Sequence, residues 1–220
     1  MITTEKDTRE RIRAKAEEMF MKYGVRSVSM DDIANGLGVS KKTIYQFFSD
    51  KDELVEAVVE NILRHNETGC DLDRLAAENA IDEVFRAMEM TQVMFQNMNP
   101  SILFDLQKYH PKAFAKFLKH KNDYLYTIVR NNLERGIAEE LYREDLNVDL
   151  LSRYRVETMM MPFHPDFFVK QKDSFVEVHQ AIMEHFVYGV ASLKGHKMIL
   201  KYQQEREKNL TKNETSSKAK

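Results

Sequence analysis

Three observations predict an all-α fold. Four prolines and seven glycines among 220 residues leave little material for the turns of a β protein. Leu, Met, Ala, Lys and Glu, the good helix formers, are plentiful. Apolar residues recur at helical spacing along most of the chain. With 43% hydrophobic residues, the chain can bury a substantial core in one or two domains.

The elements follow in order. Ile12, Ala16, Met19, Phe20 and Tyr23 recur at helical spacing, with Arg9, Arg11, Arg13, Lys15 and Glu17 on the other faces. Gly24 stands where a C′ residue ends that helix. Ser29 and Asp32 form a capping-box pattern that opens a second helix, and Asp50 with Glu53 repeats it for a fourth helix near Lys51. Between them, Met30 to Ser49 (MDDIANGLGVSKKTIYQFFS) has the spacing of a helix-turn-helix. Ala34 is small enough for the second motif helix to pack close. Gly38 falls where the turn needs φ > 0. Ile44 closes over Ala34, with Ile33 and Val39 completing the small core, and Ser40 takes the N-cap place. A short helix, a turn and a helix with a polar outer face can fill a DNA major groove, whereas a structural αα-hairpin has no need of that face.

Downstream, the pattern predicts helices near Ala77–Met98, Ile102–Lys108, Lys112–Ile137, Asp149–Met161 and Lys172–Gln203, about nine in all. Asn99-Pro100, His110-Pro111 and Pro162 separate them. Phe163–Phe168 (FHPDFF) reads as an aromatic-rich loop, and the polar tail from Glu205 is expected to be disordered. The division expected is a DNA-binding domain over 1–54, a ligand-binding and dimerisation domain over 55–204, and a tail over 205–220.

The run from Ser29 to Leu54, with Phe20 and Gly24 before it, resembles the TetR family of one-component transcriptional regulators. Ile33-Ala34, Gly38-Val39-Ser40, Thr43-Ile44-Tyr45, Phe47-Phe48 and Lys51-Asp52-Glu53-Leu54 fall on the family's pattern. Lys42 stands where many members carry Gly and adds a cation within reach of a phosphate. The resemblance covers about a quarter of the chain. It implies DNA binding as a dimer through a four-helix bundle, and phosphate contacts by Tyr45 and Lys51.

The residues themselves supply the remaining expectations. Thr43, Tyr45 and Lys51 suit phosphates, Ser29 and the free N–H groups of the second helix add another, and Lys41, Lys42 and Gln46, following Ser40, suit base edges. A net charge of −2 does not oppose this, because the local arrangement of charge decides. Arg9, Arg11 and Arg13 are either further phosphate contacts or a solvated face. One stripe on the last helix (Phe175, Val178, Ile182, Phe186, Val190, Leu193) and one near Leu151, Tyr154, Thr158 and Met161 are either a homodimer face or the chain's own core. Two recognition helices on a two-fold axis would read a palindrome.

The middle of the chain offers a pocket for an unidentified small, largely apolar effector. Its expected contacts are Met88, Gln92, Phe95, Phe104, Tyr109, Tyr124, Glu157 and Met160, with Met98, Phe117, Met159 and Phe163 beside them, although Met and Phe at helical spacing also make plain core. Glu157 is either a polar anchor or the partner of Arg153 or Arg155. The reading is a repressor released from its operator by that effector; the alternative is a ligand-independent regulator set by a protein partner or by expression level. No catalytic motif, metal site or cofactor code is visible, and the seven histidines are scattered. With no run of eighteen apolar residues, a polar N-terminus and a single cysteine, Cys70, the chain reads as cytoplasmic.

Overall fold

The computed structural model describes residues 5–96, 98–164 and 174–217, with side chains described as far as Arg206. Helix α1 (Glu5–Tyr23) buries Ile12, Ala16 and Phe20 and ends at Gly24, whose N–H reaches the Phe20 carbonyl at 2.9 Å. The φ of Gly24 is +83°, and a Cβ there would meet Ser101 Oγ at 2.9 Å, so both backbone and space require glycine. In α2 (Met30–Leu37) the Ser29–Asp32 capping box closes in both directions. Gly38 turns the chain at φ +67° into α3 (Lys41–Tyr45); a Cβ there would touch nothing, so the demand is purely conformational. Ile33, Ile44, Phe48 and Leu54 are completely buried between these helices and α4 (Lys51–Ala76).

The expected boundary at residue 54 is not a boundary in the packing. Val55, Val58 and Val59 of α4 belong to the same core, which Ile102 and Leu106 of α6 (Ile102–Tyr109) and Ala113 of α7 (Pro111–Lys119) complete. The reading unit therefore rests on helices from the middle of the chain. Two polar bridges fix it there: the Arg26 N–H donates to Asp105 Oδ2 at 2.9 Å, and the Asn99 N–H to the Met21 carbonyl at 2.7 Å.

A second core joins α5 (Ala80–Phe95), α8 (Tyr126–Ala138), α9 (Val148–Thr158), α10 (Phe175–Val190) and α11 (Leu193–Ser217), centred on Ile81, Met88, Leu133, Val187 and Ile199. The long seventh helix of the sequence reading is α7 and α8 joined by a π-helical stretch over His120–Leu125. Pro111 opens this run rather than breaking it, because the first helical position needs no N–H donor.

The expected last helix is two helices. Ala191 bridges antiparallel to Tyr142 and the Ser192 N–H donates to the Leu141 carbonyl at 2.9 Å, which draws the backbone out of the helix. Counting α7 to α8 once, the described residues thus form ten helices. Helix α11 runs on to Ser217, where disorder from Glu205 was expected: no Pro or Gly follows Gly195, and Lys, Glu and Gln favour continuation. The expected FHPDFF loop lies outside the described residues from Pro165, as do the first two residues of the predicted last helix; Met161–Phe163 form a 3₁₀ turn.

Candidate nucleic-acid interface and internal cavity

The outer face of α3 presents Lys42, Tyr45 and Gln46, all exposed, with Tyr45 at 44%. Lys42 has no ionic partner among the described residues, so its charge is available to a phosphate or a guanine edge. The other predicted contacts are already engaged. The Lys41 ammonium pairs with Asp31 at 2.8 Å, which holds its pKa above the usual lysine value. Ser40 caps α3, accepting the Thr43 N–H at 3.1 Å and sharing a hydrogen bond with the Thr43 hydroxyl at 2.9 Å. The Ser29 hydroxyl is held by Asp32 Oδ2 at 2.6 Å.

Lys51 differs most from expectation. Its side chain is half-buried and its ammonium donates to the Val25 carbonyl at 2.7 Å, with the Phe20 ring 5.9 Å away. Burial lowers its pKa. One of its three N–H donors is thus spent on the α1–α2 loop, and the other two remain for a phosphate. Of the arginines on α1, Arg13 is buried between Glu10 and Glu17, while Arg9 lies over the Phe48 ring at 4.5 Å.

Behind this face lies a cavity of about 240 Å³, lined overwhelmingly by apolar side chains. Its walls come from α4 (Val59, Ile62, Leu63), α5 (Ala87, Met90, Met94), α6 (Ile102, Leu103, Leu106) and α10 (Met183, Phe186), and Met21 of α1 reaches it too. Phe95 and Met160 line it as expected, together with Met98, Phe117, Met159 and Phe163.

The other six predicted contacts do not line it. Met88 is plain core. Gln92 is exposed and bonds Gln180 at 3.0 Å. Phe104 is 43% exposed beside Lys108, and Tyr109 lies under Arg26 and Lys108. The Tyr124 hydroxyl turns to the Glu67 carbonyl at 2.9 Å, and its pKa rises through burial. Glu157 points outward and pairs with Lys121 at 2.7 Å, not with Arg153 or Arg155. For the five other than Met88, helical periodicity could not tell an inner face from an outer one; Met88 faces inward but packs in solid core.

The family model described as bacterial regulatory proteins, tetR family, matches residues 12–58, the stretch that holds this motif. Residues 12–58 carry the TetR-family DNA-binding domain. It is 26% identical over 170 residues to YvaF of Bacillus subtilis, an uncharacterised helix-turn-helix transcriptional regulator, covering 76% of this chain and 87% of YvaF. It is also 26% identical over 155 residues to the transcriptional repressor KstR2 of Mycobacterium tuberculosis, covering 65% of this chain and 73% of that one. A TetR-family regulator from Agrobacterium tumefaciens shares the fold with a TM-score of 0.71 at 14% identity, covering 85% of this chain and 99% of the other. These relatives are named as transcriptional regulators, not as enzymes. Among the described residues of this chain no helix is long and apolar enough to cross a membrane, and no cluster of potential ligands forms a metal site.

TetR-family regulators bind operator DNA and form homodimers. The stripe expected to mediate this is mostly internal: Phe175, Val178, Phe186 and Val190 are buried within their own chain, and Thr158 with them. Of the expected stripes only Tyr154, Met161 and Leu193 are exposed. On α9 the outward residues are Leu150 and Tyr154, 60% and 48% exposed; on α10 they are Ala181, His185 and Gly189. A Cβ at Gly189 would meet nothing within 4 Å, so that face is open.

Sequence reasoning missed Arg155 and His179. Both line the cavity and both are buried, at 3% and 4% exposure. Among the described residues, Nη1 and Nη2 of Arg155 have no hydrogen-bond partner, and burial lowers its pKa to about 10, so it stays charged at neutral pH. Burial, and then the charge of Arg155, pushes the His179 imidazole down to about 4, so it is neutral. Its ring packs edge-on to Phe95 at 4.9 Å. A signal for Arg155 was present: Ser152, Arg155, Val156 and Met159 share one helical face, and that face is the inner one.

Proposed function

We propose that this TetR-family regulator is a dimeric, cytoplasmic repressor that reads a palindromic operator and lets go when a small, largely apolar ligand fills the cavity. The supporting observation is that cavity and reading unit share their walls. Ile102, Leu103 and Leu106 line the cavity on α6, and Asp105 on the same helix holds the Arg26 N–H. Helix α4 begins at Lys51 beside the reading unit and lines the cavity with Val59, Ile62 and Leu63. A ligand that displaces α4 or α6 must move the recognition helix with them. Coupling of about 1–3 kcal/mol changes affinity by about 5–150-fold, which is enough for release.

On this reading residues 1–54 carry the DNA contacts and 55–204 the ligand and dimer functions. Lys42 and Gln46 reach base edges, Thr43 and Tyr45 reach phosphates, and Lys51 contributes its remaining donors. The two recognition helices sit about one turn of DNA apart, roughly 34–36 Å. The partner packs on the outward faces of α9 and α10. Gly189→Arg therefore should yield monomers in sedimentation and lose operator affinity while the far-ultraviolet circular dichroism stays native. A fully dimeric Gly189→Arg protein would place the interface elsewhere.

The experiment that tests the whole reading selects an operator from random duplexes, then screens apolar and amphipathic metabolites by thermal shift and by operator release. Ligands that stabilise the protein without loosening DNA would overturn the effector mechanism and leave the DNA-binding assignment in place.

A further inference from the structure

A folded chain rarely leaves a buried cation without partners, since each such group forgoes its hydration and gains nothing in return. Among the described residues, Arg155 is in that position. The acids nearest to it in sequence and on the cavity wall are engaged elsewhere: Glu157 with Lys121 at 2.7 Å, Asp149 with Arg153 at 3.1 Å, and Glu83 with Arg135 at 3.2 Å. The Phe186 ring lies 5.5 Å from Cζ and softens the burial of the charge, yet an aromatic face accepts none of the guanidinium's in-plane N–H groups. A trapped water could accept a hydrogen bond but would leave the charge uncompensated.

The cavity is also polarised. Its two acidic wall residues, Asp73 and Glu83, both act on the Cys70 thiol and so lie toward the start of α5. Arg155 acts instead on His179, whose ring packs against Phe95 at the far end of the same helix. Glu83 and Phe95 both line the cavity, which therefore extends roughly 18 Å along α5 at 1.5 Å per residue. The stretch between the two ends is mostly thioether, aromatic and aliphatic, with Thr91 among it.

We propose that the cavity binds an amphipathic carboxylate, whose head group takes both Nη atoms of Arg155 in a bidentate pair and whose apolar chain lies along α5 against Met90, Met94, Met98 and Met159. The proposal rests on the ligand-binding reading above and gives it a chemical class. A planar carboxylate matches the guanidinium fork, and its single charge matches the single cation at that end. A phosphate monoester would bring a second charge that nothing there answers, because Lys121 is committed to Glu157 and His179 is neutral. Flexible methionines tolerate chains of differing length and shape.

The test is calorimetric titration of the full-length protein, without DNA, using octanoate, octan-1-ol, octylammonium and octyl phosphate. Octanoate should bind once per protomer. Octan-1-ol should bind roughly 10–100-fold more weakly, the fold-change that loss of a charge-assisted hydrogen bond brings, and octylammonium more weakly still. Arg155→Met should erase the preference, leaving octanoate no tighter than octan-1-ol. The same variant should raise the thermal midpoint of the ligand-free protein, because it replaces an unpaired buried charge by an apolar side chain. Arg155→Lys should keep the preference with reduced affinity.

Equal binding of octanoate and octan-1-ol to the native protein would overturn the proposal, as would octanoate affinity unchanged in Arg155→Met, or no saturable binding of carboxylates from hexanoate to dodecanoate. Tighter binding of octyl phosphate would overturn the carboxylate assignment. The effector mechanism fails separately: octanoate bound through Arg155 with operator affinity unchanged supports the site and removes its regulatory role. A neutral compound that releases the operator while carboxylates do not bind does the reverse.

Discussion

In the reading unit, Ile33, Ile44, Phe48 and Leu54 have no exposed surface and come from one short stretch of sequence, held by local caps and the left-handed glycines Gly24 and Gly38. The core around α5 is assembled instead from helices scattered over the rest of the chain, and it leaves a cavity of about 240 Å³ with a charged group in its wall. A surface that must present fixed side chains to a rigid groove gains from a solid support. A chamber that must admit a guest carries empty volume and an unpaired charge at the expense of stability. The two halves therefore should respond differently to the same perturbation.

Truncation gives the largest contrast. Ile44→Ala opens a void in a fully packed site and should cost about 2–5 kcal/mol in denaturant unfolding, with DNA binding lost in parallel. Met159→Ala, on the cavity wall, removes atoms that already face empty space and should cost well under half as much. Equal penalties would mean that the second core is as solid as the first.

That contrast also decides how much the sequence reveals. The helix-turn-helix was legible because its determinants are local: Gly38, Ala34, Ile44 and the Ser29–Asp32 box lie within a few turns of one another and obey backbone rules. The cavity was legible only as a supply of Met and Phe. Which of them face the cavity depends on how distant helices rotate against each other, and so Phe95 and Met160 line it while Met88, Gln92 and Tyr124 do not. The stripe on α10 shows the same ambiguity, since an apolar face at helical spacing looks alike whether its own domain or a partner covers it. Arg155 hid for a different reason. It entered the sequence reading only as a possible partner for Glu157, and the structure turns that acid to Lys121 instead.

Acid sharpens the comparison next. The folded-state pKa of His179 lies near 4, below its ordinary value of 6.5, so between those limits the unfolded chain holds a proton that the folded chain does not. Its contribution is intact above that window and is lost as pH falls through it, up to about 3 kcal/mol. Comparing urea unfolding of the native protein with His179→Phe at pH 7.5 and pH 4.5 isolates this contribution. The variant should lose less stability on acidification; identical pH dependence would show that the imidazole is not held neutral by its surroundings.

Thiol chemistry reports on the opposite end of the cavity. Burial, with Asp73 and Asp71 nearby, raises the Cys70 pKa to about 11. At pH 8 its thiolate fraction is then roughly a hundredth of that of an ordinary thiol near 9, and iodoacetamide should label it about 100-fold more slowly than a free cysteine. Labelling at the rate of an exposed thiol would mean that this end of the cavity opens to solvent far more often than its packing implies.

The smallest effects belong to the reading face, where two lysines separate surface charge from support. Lys42 is exposed and unpaired among the described residues, so Lys42→Ala should weaken operator binding and lower the slope of log affinity against log salt by roughly 0.9, with the thermal midpoint unchanged. Lys51 also donates to the Val25 carbonyl at 2.7 Å, which ties the α1–α2 loop to α4. Lys51→Ala should reduce the slope by a similar amount and in addition cost about 1 kcal/mol of stability, the worth of one such hydrogen bond. Measuring both quantities for both variants is decisive. If Lys51→Ala lowers stability with no change in the salt slope, its ammonium serves the fold alone and the phosphate contact passes to neighbouring groups. If it changes the slope with no cost in stability, the bond to Val25 is not held in solution, and the support of the recognition helix must come from its apolar core.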